Sequence, residues 1–533
     1  MNRACFLCLL IRILIMKMSQ PQNVAVISQS AKPREAYFNL ARFNPVLLLS
    51  SAVILTVLLV CLFAPEWAKG IFVGGRRWSV IHLDWLFMLS ANLLLSFSLV
   101  LAVSPLGKRR LGSESVQFSN FAWYSMIVMT GVGLTLVFWG VTEPAAFYTD
   151  WWGVPFNQEA RSQEAENLAL AASLYHWGLH PWAIYTVMGL AIAYATYNKG
   201  LPLKFSSIFY PFLKQQTHRL SGNVLDTLAV VATVFGVATT MGLGARQAAK
   251  SLEYLYAIPN TLISQSVLIL VASLLLFLVM HLGLVKGIKK FSLANLILAC
   301  VFALALVMLA GLTNALSVLG ITAFEYANNF IAFSQWSERT DLKFFHGWTI
   351  FYWIWWFSWA PFIGLFIARI SKGRSIRECV FAILIIPSLF SLFWFSAIGG
   401  IGLEQISQGI GSIMEPRLSP TTALFKMLEI LPFTQVLAFI GIVLVLICFV
   451  STNNASVYSL ELLTRNTKQI RSKKVSQFWV LIQVCVALSL LVFGGKKALE
   501  SAQSASLLIG VLLCFLLLIA SVGLIYNLKK DKL

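Results

Sequence analysis

The feature that most constrains this chain is a series of long apolar segments joined by short polar connections. From Pro45 onward, twelve segments are each long enough to cross a bilayer, which takes about 20 apolar residues. Their approximate bounds are 44–64, 81–103, 117–141, 168–196, 224–245, 260–282, 290–316, 342–370, 379–399, 434–455, 476–494 and 505–527. Only 11% of the 533 residues are charged, against about 25% in soluble proteins, so the pattern predicts an all-α membrane protein.

The distribution of charge predicts how the chain sits in the membrane. With both termini in the cytoplasm, the tails and alternate loops carry 28 Lys/Arg and 6 Asp/Glu, and the other side carries 12 and 15. The net charges of +22 and −3 follow the positive-inside rule and make up the total of +19. We therefore expect a multi-pass protein of the cytoplasmic membrane, with lipid as a partner. Nucleic acid is not expected as a partner, because no basic stripe carries interleaved aromatics on a soluble module.

The domain organisation follows from the same pattern. Residues 1–43 are predicted to form a cytoplasmic N-terminal tail, 44–527 one transmembrane domain, and 528–533 a short cytoplasmic tail. The pair Cys5-x-x-Cys8 has no further ligands nearby, so no metal site is expected there.

Two membrane segments combine helix-breaking residues with aromatics. The third contains two glycines, Gly131 and Gly133, at mid-membrane, where unwinding would free backbone groups for a ligand. Close packing of small residues is the alternative. In the fourth, Trp182 and Tyr185 lie about 60° apart on a helix, and Trp177 is within reach of Tyr185. An interfacial aromatic belt is the alternative for these rings.

The eighth segment carries a longer aromatic stripe. Its rings follow the spacing i, i+3, i+4, i+7 and therefore line one helix face over two turns: Tyr352, Trp355, Trp356 and Trp359. Two aromatic faces on separate helices suit a desolvated quaternary ammonium, which each ring attracts by about 2 kcal/mol in a dry site. No carboxylate lies between these tryptophans, so the ligand is expected to bring its own negative charge.

Five motifs in order resemble those of the betaine/choline/carnitine transporter (BCCT) family. They occupy residues 138–144, 176–185, 235–244, 348–362 and 368–378, within a resemblance that covers about residues 40 to 527. It implies a LeuT-like fold of twelve transmembrane helices, in which two extra N-terminal helices precede a five-plus-five inverted repeat of helices 3–7 and 8–12. It also implies secondary active transport, by alternating access, of an onium compound such as glycine betaine, choline or carnitine. No enzyme activity and no cofactor are expected.

The resemblance also assigns a substrate site. Its trimethylammonium cage matches Trp177, Trp182, Tyr185 and Trp356, and its flanking aromatics match Trp353, Trp355 and Trp359. The substrate carboxylate would face backbone amides near Gly131 and Gly133. Because the family often forms trimers, the resemblance also implies a homotrimer.

The ion site is where the chain departs from the family pattern. Sodium-coupled members carry two hydroxyls in T-x-F-G-T, whereas here Thr233 remains and Val237 replaces the second. The residues assigned to an ion site are Thr130, Thr233, Phe362, Ser451 and Thr452. Since valine supplies no oxygen, we expect at most one sodium per cycle. Sodium-independent antiport and proton coupling are the alternatives, and Lys289 is a less favoured replacement for the cation.

Other classes of function find less support in the sequence. A membrane enzyme would need clustered ionisable or metal-ligating groups, and His176, His180 and Glu143 show neither ligand nor triad spacing. A channel would show pore-lining polar rings, and a sensor would usually keep a soluble output domain; neither pattern is present.

Overall fold

The computed structural model describes residues 44–131, 133–283, 287–465 and 473–531. Within these ranges the chain is helical, and the one isolated β-bridge recorded joins the connections at Arg110 and Ser375. The expected N-terminal tail, with Cys5 and Cys8, lies outside the described residues. The last helix continues to Lys530, three residues beyond the boundary expected at 527.

Seventeen helices of eight or more residues are present in the described parts of the chain. They are α1 Pro45–Phe63, α2 Gly74–His82, α3 Asp84–Val103, α4 Asn120–Gly131, α5 Gly133–Tyr148, α6 Gln163–Trp177, α7 Leu179–Tyr197, α8 Leu220–Tyr256, α9 Leu262–Gly283, α10 Lys289–Ala310, α11 Leu312–Asn328, α12 Phe351–Ile370, α13 Ile376–Trp394, α14 Gly400–Ser407, α15 Thr434–Thr464, α16 Lys473–Ser489 and α17 Gly495–Lys530. Shorter helical turns are Pro65–Ala68, Lys69–Val73, Pro105–Lys108, Pro155–Asn157, Ser206–Phe209, Tyr210–Leu213, Lys214–His218, Phe330–Phe333, Leu342–Phe344, Phe345–Ile350, Phe395–Gly399, Ala423–Leu428 and Leu490–Gly494.

The expectation of an all-α membrane protein is confirmed at the level of architecture. Nine helical stretches of the described residues are long and apolar enough to cross a membrane, or ten if the bent pair α4–α5 counts as one. Each of the twelve predicted segments overlaps a helix. Nine stretches are found instead of twelve because the third and fourth predicted segments each consist of two helices. In addition, α16 and α17 are counted as one run, Lys474–Lys530. Twelve crossings and an inverted repeat stay predictions.

The first break separates α4 from α5, where the chain bends by 60°. Glycine weakens a helix because it loses more backbone conformational entropy on folding than other residues do. Gly131 and Gly133 flank the bend. Close approach also requires glycine here, since a Cβ on Gly131 would lie 2.4 Å from Cη2 of Trp182.

The second break separates α6 from α7 at Gly178, whose backbone (φ −101°, ψ −133°) is not helical. Pro181 lies in the first turn of α7, where the missing N–H of a proline leaves no hydrogen bond unmade. The predicted single span 168–196 is thus two helices, and α6 ends with its last carbonyls unpaired within the helix.

Helices α7 and α12 form the centre of the protein. Every residue of α7 from His180 to Ala195 is buried. A Cβ on Gly364 of α12 would lie 2.2 Å from Met188, and one on Gly189 would lie 2.7 Å from Ile367, so small residues let the two helices approach closely. By contrast, α1, α9 and α10 leave most of their apolar surface exposed, as expected of helices that face lipid.

Candidate functional site

Four aromatic side chains from three helices meet at the centre of the protein, and we call them the aromatic cage. Trp177 ends α6, Trp182 and Tyr185 lie on α7, and Trp356 lies on α12. The ring centroids are 5.3 Å apart for Trp177 and Trp356, 5.4 Å for Tyr185 and Trp356, and 5.7 Å for Trp182 and Tyr185. The interplanar angles are 88°, 72° and 87°. Walls at right angles present ring faces in different directions, as needed to enclose a cation.

The break at Gly178 holds two of these rings in place. The Nε1 of Trp356 donates to the carbonyl of His176 at 3.1 Å, and the Nε1 of Trp182 donates to the carbonyl of Trp177 at 3.2 Å. Both carbonyls belong to the last turn of α6, where no backbone N–H of the same helix is available. The interruption of the fourth predicted segment therefore positions the cage as well as bending the chain.

A buried carboxylate holds the third ring. Glu143 of α5 has no exposed surface, and its Oε2 accepts hydrogen bonds from Nε1 of Trp177 at 2.9 Å and from the hydroxyl of Tyr352 at 2.6 Å. Its Oε1 lies 2.9 Å from Nδ1 of His176, whose Nε2 lies 3.0 Å from Oγ1 of Thr349. Every oxygen of the carboxylate is thus hydrogen-bonded, as burial of a charge requires.

Sequence reasoning missed this network because its members lie on separate helices. The spacing of Glu143 and His176 along the chain gave no sign that they would meet. The available signal was chemical: an ionisable side chain at membrane depth needs a partner. His176 stands in the fourth predicted segment, and Glu143 lies two residues beyond the predicted end of the third.

The fourth ring carries a free polar group. The hydroxyl of Tyr185 is buried and has no hydrogen-bond partner among the described residues. An unsatisfied buried hydroxyl is costly, typically about 1–3 kcal/mol, so a polar group of a ligand or water is its expected partner.

The flanking aromatics divide into two groups. Trp355 stacks on Tyr352, with centroids 6.0 Å apart at 14°, and meets Trp359 at 5.5 Å, so both continue the aromatic face of α12 beside the cage. Trp353 points elsewhere: its ring lies 5.4 Å from Tyr175, and its Nε1 lies 3.3 Å from Sδ of Met88 on α3. No ring contact joins Trp353 to the four cage rings in the described part of the chain.

The broken helix lies directly against the cage. Gly131 faces the ring of Trp182, and Gly133 is the first residue of α5. The amides at a helix N-terminus lack intrahelical acceptors and carry a partial positive charge. The N-terminus of α5 is therefore suited to an anionic group held near the cage.

The residues assigned to an ion site do not share a hydrogen bond with one another within the described residues. The hydroxyls of Thr130, Thr233 and Thr452 each donate to the carbonyl four residues earlier. The carbonyl of Phe362 accepts from Ser459 at 2.7 Å. Ser451 accepts from Nδ2 of Asn295 at 3.1 Å, where α10 packs against α15 and α4.

Two asparagines lie in this region that the predicted ion site did not include. The side chain in contact with Ser451 is Asn295, not Lys289, which begins α10 and has no acidic partner in the described residues. Asn454 on α15 is 1% exposed, and neither its Oδ1 nor its Nδ2 has a partner among the described residues. An amide inside an apolar helix was the signal in both cases.

Two cavities lie toward opposite ends of α12. We call the first, of about 1260 Å³, the outer vestibule; it reaches Tyr352 and Trp355. We call the second, of about 760 Å³, the inner vestibule; it is lined by Arg369 and Lys372 near the other end of α12, and by Tyr458 of α15. The order of these residues along α12 places Trp356 between the two vestibules.

A multi-pass helical membrane protein with a buried site between two cavities and a broken helix beside it has the layout of a solute carrier. The chain belongs to the BCCT, betaine/carnitine/choline, family of transporters, whose model matches residues 45–533. The resemblance seen in the sequence is thereby confirmed, and the family is one of transporters, not enzymes.

Curated relatives cover most of this chain. "Glycine betaine transporter 1" of Vibrio parahaemolyticus is 38% identical over 92% of this chain and 94% of its own. From the same organism, the "Glycine betaine/proline/choline/ectoine transporter VP1456" is 37% identical over 92% and 87%. "Glycine betaine transporter OpuD" of Bacillus subtilis is 33% identical over 88% and 91%. A solved Na+-coupled sialic acid symporter matches with a TM-score of 0.48 and 13% identity over 82% of this chain and 86% of its own, too low to carry an argument.

Proposed function

We propose that the protein imports glycine betaine, or a closely related onium zwitterion, across the cytoplasmic membrane by alternating access. The observation that carries this proposal is the aromatic cage, whose rings meet at 5.3 to 5.7 Å. The carboxylate beside the cage, that of Glu143, is already engaged by Trp177, Tyr352 and His176. A quaternary ammonium has no N–H to donate, so ring faces are its natural partner. The relatives named for glycine betaine support this choice of substrate.

The binding mode follows from the charges around the cage. Trp177, Trp182, Tyr185 and Trp356 hold the trimethylammonium group, and Trp355 and Trp359 line its passage. The carboxylate of the substrate lies toward the N-terminus of α5, beside the bend near Gly131 and Gly133, where the helix dipole favours an anionic group. The hydroxyl of Tyr185, which has no hydrogen-bond partner among the described residues, is a second donor for the carboxylate.

The proposal includes the topology and the coupling. The twelve apolar segments support twelve crossings, and the charge asymmetry supports a cytoplasmic position of both termini. Membership of the family supports a five-plus-five repeat and a homotrimer. One sodium ion binds near Ser451, Thr452 and Thr130, where α4, α10 and α15 pack together. The alternative is sodium-independent antiport or proton coupling, which the loss of a second hydroxyl at Val237 supports.

Uptake by the purified protein in liposomes tests both parts. We expect saturable uptake of labelled glycine betaine that unlabelled betaine abolishes and that proline reduces less. Replacement of sodium by potassium should stop net uptake. Unchanged uptake in potassium would overturn sodium coupling, and the lack of any saturable uptake of betaine, choline or carnitine would overturn the proposed function.

A further inference from the structure

The outer vestibule has an unusual charge. Its charged lining consists of Arg76, Arg77, Arg246, Lys250 and Lys343, together with His346. No aspartate or glutamate is among the described residues that line it. Yet the side of the protein to which these residues are assigned carries 15 acidic and 12 basic residues in total. The vestibule therefore concentrates positive charge on a side that is slightly negative overall.

Acidic residues just outside the vestibule offset part of this charge. Arg76 lies 3.7 Å from Glu500, Lys343 lies 2.8 Å from Asp150, and Lys250 pairs with Glu253. His346 lies 3.0 Å from Asp84. Two guanidinium groups, those of Arg77 and Arg246, have no acidic partner among the described residues.

Aromatic rings in the outer vestibule can bind the positive, onium end of a zwitterion. The same cavity is lined by three tryptophans, in which the ring centroids of Trp139 and Trp151 lie 5.5 and 6.5 Å from that of Trp348. Tyr352 and Trp355 line it at the end toward the cage. Ring faces attract an onium group without attracting a carboxylate. An approaching zwitterion thus meets favourable contacts for both ends, whereas an onium alcohol such as choline has only its positive end.

We propose that the outer vestibule is a charge filter that admits onium zwitterions and disfavours onium cations without a carboxylate, with Arg77 and Arg246 as the residues that set this preference. The inference rests on the proposed function and goes beyond it, since relatives at 37–38% identity are named for glycine betaine alone or for betaine and choline together. A cleft lined by one sign of charge raises the local concentration of ligands with complementary charge and lowers that of others.

Competition kinetics in liposomes test the filter directly. The readout is the ratio between the inhibition constant of choline and the Michaelis constant of glycine betaine. In the double variant Arg77→Gln/Arg246→Gln, this ratio should fall about tenfold, since two charges act over roughly 10 Å of a partly aqueous cavity. Arg77→Lys/Arg246→Lys, which keeps both charges, should retain the wild-type ratio. Lys496→Gln, an exposed lysine outside the vestibule, is the matched control for lost charge.

Ionic strength provides a second measurement on the unaltered protein. At fixed sodium, raising potassium gluconate from about 0.02 M to about 0.5 M shortens the screening length several-fold and should lower the same ratio in the wild type. The double glutamine variant should respond less. An unchanged ratio in that variant, or an equal change in Lys496→Gln, would overturn the filter while leaving onium transport intact. Absence of saturable uptake of both solutes would overturn the proposed function and the filter with it.

Discussion

The aromatic cage and the residues assigned to the ion site differ in how completely the fold holds them. In the cage, the ring nitrogens of Trp177, Trp182 and Trp356 each donate to a fixed acceptor, and the rings contact one another in series. At the ion site, the hydroxyls of Thr130 and Thr233 donate to their own helices and meet no shared centre in the described residues.

The difference shows that hydrogen bonds within the fold hold the rings of the aromatic cage, as a preorganised onium site requires. Preorganised side chains bind tightly because little ordering remains to be done on binding. The ion region has oxygens and amides on three packed helices, and it would have to reorganise around a cation. Three sets of variants break or sharpen this contrast, in order of decreasing effect.

The largest effect is expected from removing a cage ring. Trp356→Leu or Trp182→Leu removes a cation–π contact of about 2 kcal/mol in a dry site, so the Michaelis constant for glycine betaine should rise by about 30-fold or more. Uptake kinetics in liposomes measure this change. Trp353→Phe is the matched control and should change the Michaelis constant much less, because Trp353 packs toward α3 and away from the cage. Uptake similar to the wild type in both leucine variants would refute the cage.

A smaller effect is expected from the carboxylate that holds the cage. Glu143→Gln keeps the size of the side chain but presents an amide N–H₂ where donors already point, leaving buried groups unpaired at about 1–3 kcal/mol. The apparent affinity for betaine should fall by about tenfold as Trp177 loses its anchor. Tyr352→Phe, which removes one of the donors, should cost less. Wild-type kinetics in Glu143→Gln would show that the network does not position the ring.

The smallest effects are expected at the ion site, and they should be unequal. Ser451→Ala removes an oxygen where α10 and α15 meet, and it should raise the sodium concentration for half-maximal uptake by about fivefold. This factor assumes that one ion–oxygen contact contributes about as much free energy as one hydrogen bond, about 1 kcal/mol. Thr233→Val should change it less than about twofold, because Thr233 lies on α8 and not on α4, α10 or α15, where the ion is proposed to bind. The reverse order would place the ion at α8 instead of α15.

The helix that carries the aromatic stripe could be predicted from the sequence. The spacing i, i+3, i+4, i+7 predicted that Tyr352, Trp355, Trp356 and Trp359 share one face, and all four lie on α12. Their role in binding stays a prediction. The spacing rule left Trp353 outside this face, and only the resemblance to the family assigned it to the flanking aromatics. In the structure its ring lies against Tyr175 and Met88, because a shared motif does not specify the direction of a side chain.

Contacts between helices were beyond the reach of the sequence. The anchoring of Trp177 by Glu143 and the contact of Ser451 with Asn295 join residues 34 and 156 positions apart. At Gly178 the sequence predicted a distorted turn from the nearby glycine and Pro181, but not that one helix ends there and another begins. Such features depend on how close two helices approach, which small residues such as Gly189 and Gly364 determine only in the assembled fold.

The central claim, that ring faces recognise the onium group, is tested most directly by a methylation series. Binding constants of the purified wild-type protein are measured by calorimetry for glycine, N-methylglycine, N,N-dimethylglycine and glycine betaine. These ligands share one carboxylate and differ only in how many N–H donors are replaced by methyl groups. The cage predicts affinity that rises with each methyl group, with a step of about tenfold to glycine betaine, because the site offers rings where an N–H needs acceptors. Glycine or dimethylglycine binding as tightly as glycine betaine would contradict it.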